Sequence, residues 1–155
     1  MTARDSAAGG PREYPHQPRV GVGAVALDQG RVLLVKRGKQ PAQGKWSLPG
    51  GLVELGETTT EAVQREVDEE CGITIRVAGV AGVLDRVVHD DDGRVRYHWV
   101  LVDYLAFPEG GEIVAGSDAA EVRWVELDEV ERLDTTQGLI DMIRRAQALA
   151  ERGDE

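Results

Sequence analysis

Glu66, Glu69 and Glu70 are spaced i, i+3 and i+4, which on a helix puts three carboxylates within about a third of the circumference. Like charges at those spacings cost a few tenths of a kcal/mol per pair. An ordinary surface helix would therefore mix lysines into that face, and the arrangement makes better sense if a cation sits there. Hard oxygen ligands without histidine or thiolate select Mg²⁺, Mn²⁺ or Ca²⁺ over zinc or copper. Magnesium keeps several waters and is typically held by a few carboxylates together with substrate phosphates. Glu57 is placed to join from the loop before the helix, and Arg65, one turn before Glu69, is placed to fix a carboxylate. The bland alternative is a solvated acidic face, the usual meaning of a charge run.

The elements that must carry these groups are well marked. Thr58 with Glu61 three places on forms a capping box, and Gly72 supplies the stop, so a helix is expected over 59–71 with Val63, Val67 and Cys71 packing on a sheet. Alternation from Arg19 to Leu27 predicts a first strand, the turn Asp28-Gln29-Gly30 leads to a second over 31–37, and a Gly- and Pro-bearing connection precedes Gly50-Gly51. The stretch 73–88, the turn Asp92-Gly93 and the run 94–107 read as a hairpin, followed by a short strand over 121–125. The stripe Leu139, Ile140, Ile143, Ala146 and Ala150 predicts a last helix from Thr135 to about Glu151, which packs on the core or meets a second subunit. The sum is an α/β chain with a mixed sheet: a flexible tail over 1–18, then a single domain over 19–152 ending in that helix.

The chain has 155 residues and a net charge of −10, a surplus that repels polymeric nucleic acid and anionic membranes. Between Gly51 and Ile73 alone there are seven acids and one base, more than half of that surplus. A single cysteine excludes an internal disulfide framework and any Cys-rich zinc module, and with no long apolar run the expected location is the cytoplasm. Two glycine motifs fail on context. Gly21-Val22-Gly23-Ala24-Val25-Ala26 has dinucleotide-fingerprint spacing but lies inside a strand, and Gly38 to Lys45 has the wrong count for a phosphate loop. Asp90-Asp91-Asp92-Gly93 lacks the ligand positions of a calcium loop and is expected to solvate a turn.

The segment 51–73 resembles the Nudix box of the Nudix hydrolase superfamily, GX5EX7REUXEEXGU with U aliphatic, matched at Gly51, Glu57, Arg65, Glu66, Val67, Glu69, Glu70, Gly72 and Ile73. Seven fixed identities arise by chance in about one window in 10⁸. The resemblance implies an α/β/α sandwich with the box as a loop-helix-loop, and Mg²⁺-dependent hydrolysis, with Mn²⁺ as a possible substitute, of a nucleoside diphosphate linked to another group, X. It implies Glu66, Glu69 and Glu70 as metal ligands, Glu57 as a further ligand or orienting group, a carbonyl ligand from Gly51 and an orienting role for Arg65. Glu69 is the chosen general base, with Glu112 and Glu121 as outside candidates. A homodimer is a family-level expectation.

For substrate contacts, Arg37 and Lys36 end the second strand, and alternation lets only one face the cleft, Arg37 being preferred. Trp46 and Glu121 complete the candidate set, while His89 and His98 are more often merely hydrogen-bonded at such positions. The leading substrate is ADP-ribose or a related nucleotide sugar. The better-defined ADP-ribose branch, however, has a proline fifteen or sixteen places past the box, where this chain has Val88 and His89. The alternatives are a (d)NTP pyrophosphohydrolase of the MutT kind and a nucleotide sensor that does not cleave. Sensors of this fold generally show damaged boxes, whereas every charged position here is intact.

Overall fold

The computed structural model describes residues 11–116 and 118–153. Strand β1 (Arg19–Asp28) is central. Along one edge it runs parallel to β6 (Val95–Gly110), with Gly21 opposite Leu101 and Gly23 opposite Asp103. Along the other, Gly21 to Gly23 pair antiparallel with β4 (Gly50–Leu52). Its last residues turn through Gln29 and Gly30, both at positive φ, into β2 (Arg31–Arg37), the geometry a two-residue hairpin needs. β2 then pairs with β3 (Trp46–Ser47) and β7 (Ala119–Glu126), while β5 (Thr74–His89) pairs with β6. The sheet is mixed, in the order β3-β2-β1-β6-β5, with β4 on β1 and β7 on β2.

Two helices cover its two faces. α1 (Thr59–Cys71) buries Val63, Val67 and Cys71 against Val22, Ala24 and Tyr104. α2 (Leu139–Gly153) buries Met142, Ile143 and Ala146 against Val25, Val32 and Leu105. Burial on both faces explains why Val22 to Ala26 are all buried, where a half-exposed strand would alternate. This is the expected α/β/α sandwich.

The local signals hold where side chains enforce them. The Thr58 hydroxyl accepts the Glu61 N–H, the Glu61 carboxylate accepts the Thr58 N–H, both at 3.1 Å, and Gly72 ends the helix at φ +77°. At the hairpin tip Asp90 Oδ1 accepts the N–H groups of Asp92 and Arg94 at 2.9 Å, so the triple aspartate builds a turn.

Two expectations need correction. The last helix starts at Leu139, four residues later than Thr135: Thr135 bridges to Trp46, the Thr136 N–H donates to the Trp46 carbonyl, and Gly138 at φ +85° interrupts a helical path. A 3₁₀ turn, Leu127–Arg132, precedes that segment. Of the expected tail, residues 1–10 lie outside the described residues, but Glu13 and Tyr14 are anchored to the β5–β6 hairpin. The Tyr14 N–H donates to the Arg96 carbonyl (2.7 Å), its hydroxyl to Asp90 (2.8 Å), and Glu13 pairs with Arg96 (2.7 Å). No helix among the described residues is long and apolar enough to cross a membrane.

Gly72 gives a direct test of the packing behind the box. A Cβ there would sit 3.2 Å from the Glu112 carbonyl at a φ that L residues rarely adopt. Gly72→Ala should cost about 1–2 kcal/mol, seen as a fall in Tm of about 2–6 °C by calorimetry.

Candidate active site

The acidic face of α1 meets the backbone of β4. A Cβ built on Gly51 would lie 2.6 Å from both Glu66 carboxylate oxygens, and one on Gly50 would overlap the Val22 carbonyl. Only two glycines allow the helix and β1 to clasp this strand so closely. The Gly50 N–H donates to Glu70 Oε2 at 3.0 Å. Glu66 and Glu70, one turn apart, thus lie half-buried along β4, with Glu69 at the exposed edge.

Arg65 ties the strip together. Its Nε donates to Glu57 Oε2 (2.6 Å) and its Nη2 to Glu57 Oε1 (3.0 Å), a two-pronged pairing. Nη1 reaches Glu66 Oε1 (2.8 Å) and Glu69 Oε2 (3.3 Å), and Nη2 also caps the Leu52 carbonyl (3.1 Å). The hydrogen bonds to Glu57, and secondarily to Glu66, hold the guanidinium even more firmly protonated than usual.

One cation does not neutralise this strip. Burial pushes the Glu70 carboxyl up to about 8, the Glu66 charge adds to that, and the Gly50 N–H and Arg37 oppose it. Glu66 is raised too, burial outweighing its bond from Arg65. An added divalent cation would relieve both, and the donors are all oxygen, the set that suits a hard ion. Cys71 faces the core, its thiol pushed up to about 12 by burial. Among the described residues no group of three or more acid, histidine or cysteine side chains is arranged to hold a metal ion.

A cleft of about 620 Å³ runs from Glu66, Glu69 and Glu70 across Gly21 and Gly23 to Leu139 and Met142. Gly51, Arg37 and Lys36 all line it, so both residues at the end of β2 border the cleft, where alternation suggests one. Arg37 is steadied by its Nε bond to the Pro41 carbonyl (2.6 Å); burial lowers its pKa and the Glu70 charge resists that.

The remaining candidates fall elsewhere. Trp46 is only 6% exposed, packs in the core beneath α2 and stacks under the Arg123 guanidinium, so it does not line the cleft. Glu121 also lies outside it, paired with Arg123 at 2.6 Å on β7. Glu57 is taken up by Arg65, which suits the orienting role over that of a ligand. Glu112, His89 and His98 do not line the cleft. Arg86 and the buried Asp103, which sequence reasoning missed as site residues, do line it, and so does Trp99. The signal for Asp103 was a single acid interrupting the apolar run 100–106.

Because Glu70 binds its proton more tightly folded (about 8) than unfolded (4.5), metal-free stability should fall as pH rises across that window. Glu70→Gln keeps an acceptor for Gly50 and should raise the metal-free Tm above wild type at pH 8, with no difference at pH 4.5. Arg65→Lys keeps the charge and loses the fork. It should cost about 2–3 kcal/mol, read as a Tm fall of about 4–10 °C in the same scans.

Comparison with known proteins agrees with this geometry. A family model described as the NUDIX domain matches residues 16–146. An ADP-ribose pyrophosphatase from Methanocaldococcus jannaschii is 38% identical over 122 residues, covering 79% of this chain and 69% of that protein. The 8-oxo-dGDP phosphatase of Homo sapiens is 35% identical over 120 residues, covering 74% of this chain but 34% of its own length. Among solved structures, the MutT NUDIX hydrolase from Burkholderia pseudomallei superposes with a TM-score of 0.74 at 35% identity, over 84% of this chain and 98% of that one. With Gly51, Glu66, Glu69 and Glu70 of the box lining one cleft and the domain matched over most of its length, the chain belongs to the Nudix hydrolase family, a family of pyrophosphohydrolases.

Proposed function

We propose that this protein hydrolyses the diphosphate of a nucleoside diphosphate linked to X, ADP-ribose first, releasing a nucleoside monophosphate and phosphorylated X. The observation that carries this is the strip of half-buried carboxylates on β4, short of positive charge, opening directly into a nucleotide-sized cleft. The 38% identity to an ADP-ribose pyrophosphatase supports the substrate.

Glu66 and Glu70, joined by Glu69 from the exposed edge and by the Gly51 carbonyl, would hold Mg²⁺, or Mn²⁺ in its place. The ion supplies a bound water of lowered pKa and neutralises the diphosphate. Around it the chain's own groups divide the work. Glu69 is exposed on the cleft and touches Arg65 Nη1, so it is the carboxylate best able to take a proton from the attacking water. Arg65 orients Glu66 and Glu69 while Glu57 holds Arg65. Arg37, and Lys36 beside it, bind the phosphate oxygens.

A second reading, cleavage of (d)NTPs, is favoured by the likeness to the Burkholderia MutT hydrolase and the human 8-oxo-dGDP phosphatase. Steady-state kcat/KM for ADP-ribose, nucleotide sugars, dinucleotide polyphosphates and normal or oxidised dNTPs, with Mg²⁺ and Mn²⁺, separates the two. ADP-ribose should lead, and a preference for dNTPs over every diphosphate-linked compound would replace it. Glu69→Gln should lower kcat about 10²–10⁴-fold with KM within threefold. Wild-type protein that binds ADP-ribose and never releases AMP would mean a sensor.

A further inference from the structure

Arg12, Glu13 and Tyr14 precede β1, and the last two are tied to the β5–β6 hairpin. Glu13 Oε2 pairs with Arg96 Nε at 2.7 Å. The Tyr14 N–H donates to the Arg96 carbonyl (2.7 Å), its hydroxyl donates to Asp90 Oδ2 (2.8 Å), and its ring lies under the Arg94 guanidinium, 4.6 Å from the ring centroid. Tyr14 also sits at φ +53°, a left-handed conformation that a bulky residue rarely takes. Strain of that kind persists where the surroundings over-determine it, as these contacts do. The segment is a strap, bent at one defined residue.

The strap delivers Arg12 to the cleft, which it lines together with Glu66, Arg37 and Arg86. Its charge acts on two of them. At Glu66 burial raises the carboxyl, Arg65 opposes that, and Arg12 adds to the opposition. At Arg37 burial lowers the guanidinium, Glu70 resists, and Arg86 and Arg12 push in the same direction as burial. β1 carries β2, which ends in Arg37, along one edge and the β5–β6 hairpin that holds the strap along the other. Arg12 and Arg37 thus reach the cleft from opposite sides of the central strand. Guanidiniums brought together from separate elements repel one another, and an anion between them removes that cost. The carboxylate strip and a diphosphate together carry more negative charge than Arg65 and one divalent ion cancel, so further cations of the chain are needed to complete the balance.

Resting on the nucleotide reading above, we propose that Arg12 is a substrate-binding residue that grips the diphosphate from the side opposite Arg37, and that Glu13 and Tyr14 are positioning residues that hold it there by docking the strap on the β5–β6 hairpin. Arg12 is exposed at the cleft, so an arriving ligand meets it, and its planar fork suits a pair of phosphate oxygens. The stretch that reads as a tail then forms part of the site.

The test measures, by calorimetry on the full chain with Mg²⁺, the affinities of α,β-methylene-ADP, whose diphosphate cannot be hydrolysed, and of inorganic pyrophosphate, which lacks base and sugar. Arg12→Ala should weaken both by about fivefold or more, because the contact is to phosphate. The double variant Glu13→Ala, Tyr14→Ala should weaken them about threefold where Arg12 is present and leave them within about 1.5-fold where Arg12 is already alanine, the coupling expected of residues that act through it. Unchanged affinities in Arg12→Ala, a loss confined to the nucleotide analogue, an equal effect of the strap variant in both backgrounds, or no binding by wild type would overturn the assignment. AMP release from ADP-ribose is scored separately. The Arg12 effects without AMP release remove the hydrolysis reading and keep the role of the strap, and AMP release with unchanged affinities in Arg12→Ala does the reverse.

Discussion

A single guanidinium stands among the carboxylates of α1 and its leading loop, and the site follows from what that guanidinium leaves unneutralised. Arg65 takes both oxygens of Glu57 and reaches Glu66 and Glu69, which fixes the loop before the helix and the rotamers on its acidic face. Among the described residues it does not reach Glu70, which is pressed against β4 and takes its hydrogen bond from the Gly50 N–H. The helix has to sit this close, because Val63 and Val67 are fully buried on the sheet and Gly51 has no side chain to hold it off. Packing thus forces carboxylates into a place where they resist ionisation, a tension that a divalent ion with its phosphate ligand, as proposed above, would relieve.

The sheet then decides what else the ligand meets. β1 is shared between pairings: parallel to β6, antiparallel to β4, and turned at its end into β2. It therefore brings the β4 backbone, the end of β2 with Lys36 and Arg37, and the side chains of β6 onto one cleft. α2 closes the far end with Leu139 and Met142 and lies on the face opposite α1. A ligand long enough to touch both ends spans an ionic region and an apolar one, as a nucleotide diphosphate does.

Local features were legible in the sequence because single side chains enforce them. The capping box, the Gly72 stop and the carboxylate spacing depend on residues within four places of one another. Pairings across the chain were not legible. Nothing in residues 19–27 says that they lie parallel to 99–106, so the facing of Gly23 and Asp103 could not be foreseen, and a lone acid in an apolar run looked like one more strand residue. Trp46 misled because an aromatic beside a glycine-rich connection suits a ligand equally well, whereas its isolated bridge to Thr135 and the packing of α2 draw it into the core. The same bridge kept 135–138 out of the last helix, a long-range constraint that helical periodicity does not report.

The central claim is that packing leaves the α1 strip too negative to ionise without a divalent cation. Carbon-detected NMR titration of the glutamate side-chain carboxyls, with and without Mg²⁺, reads it at the atoms concerned. The Glu70 carboxyl should titrate near 8 in the metal-free protein and move below its ordinary value of 4.5 when Mg²⁺ is added. A Glu70 that titrates at its ordinary value without metal, and does not shift when Mg²⁺ is supplied, would contradict the account.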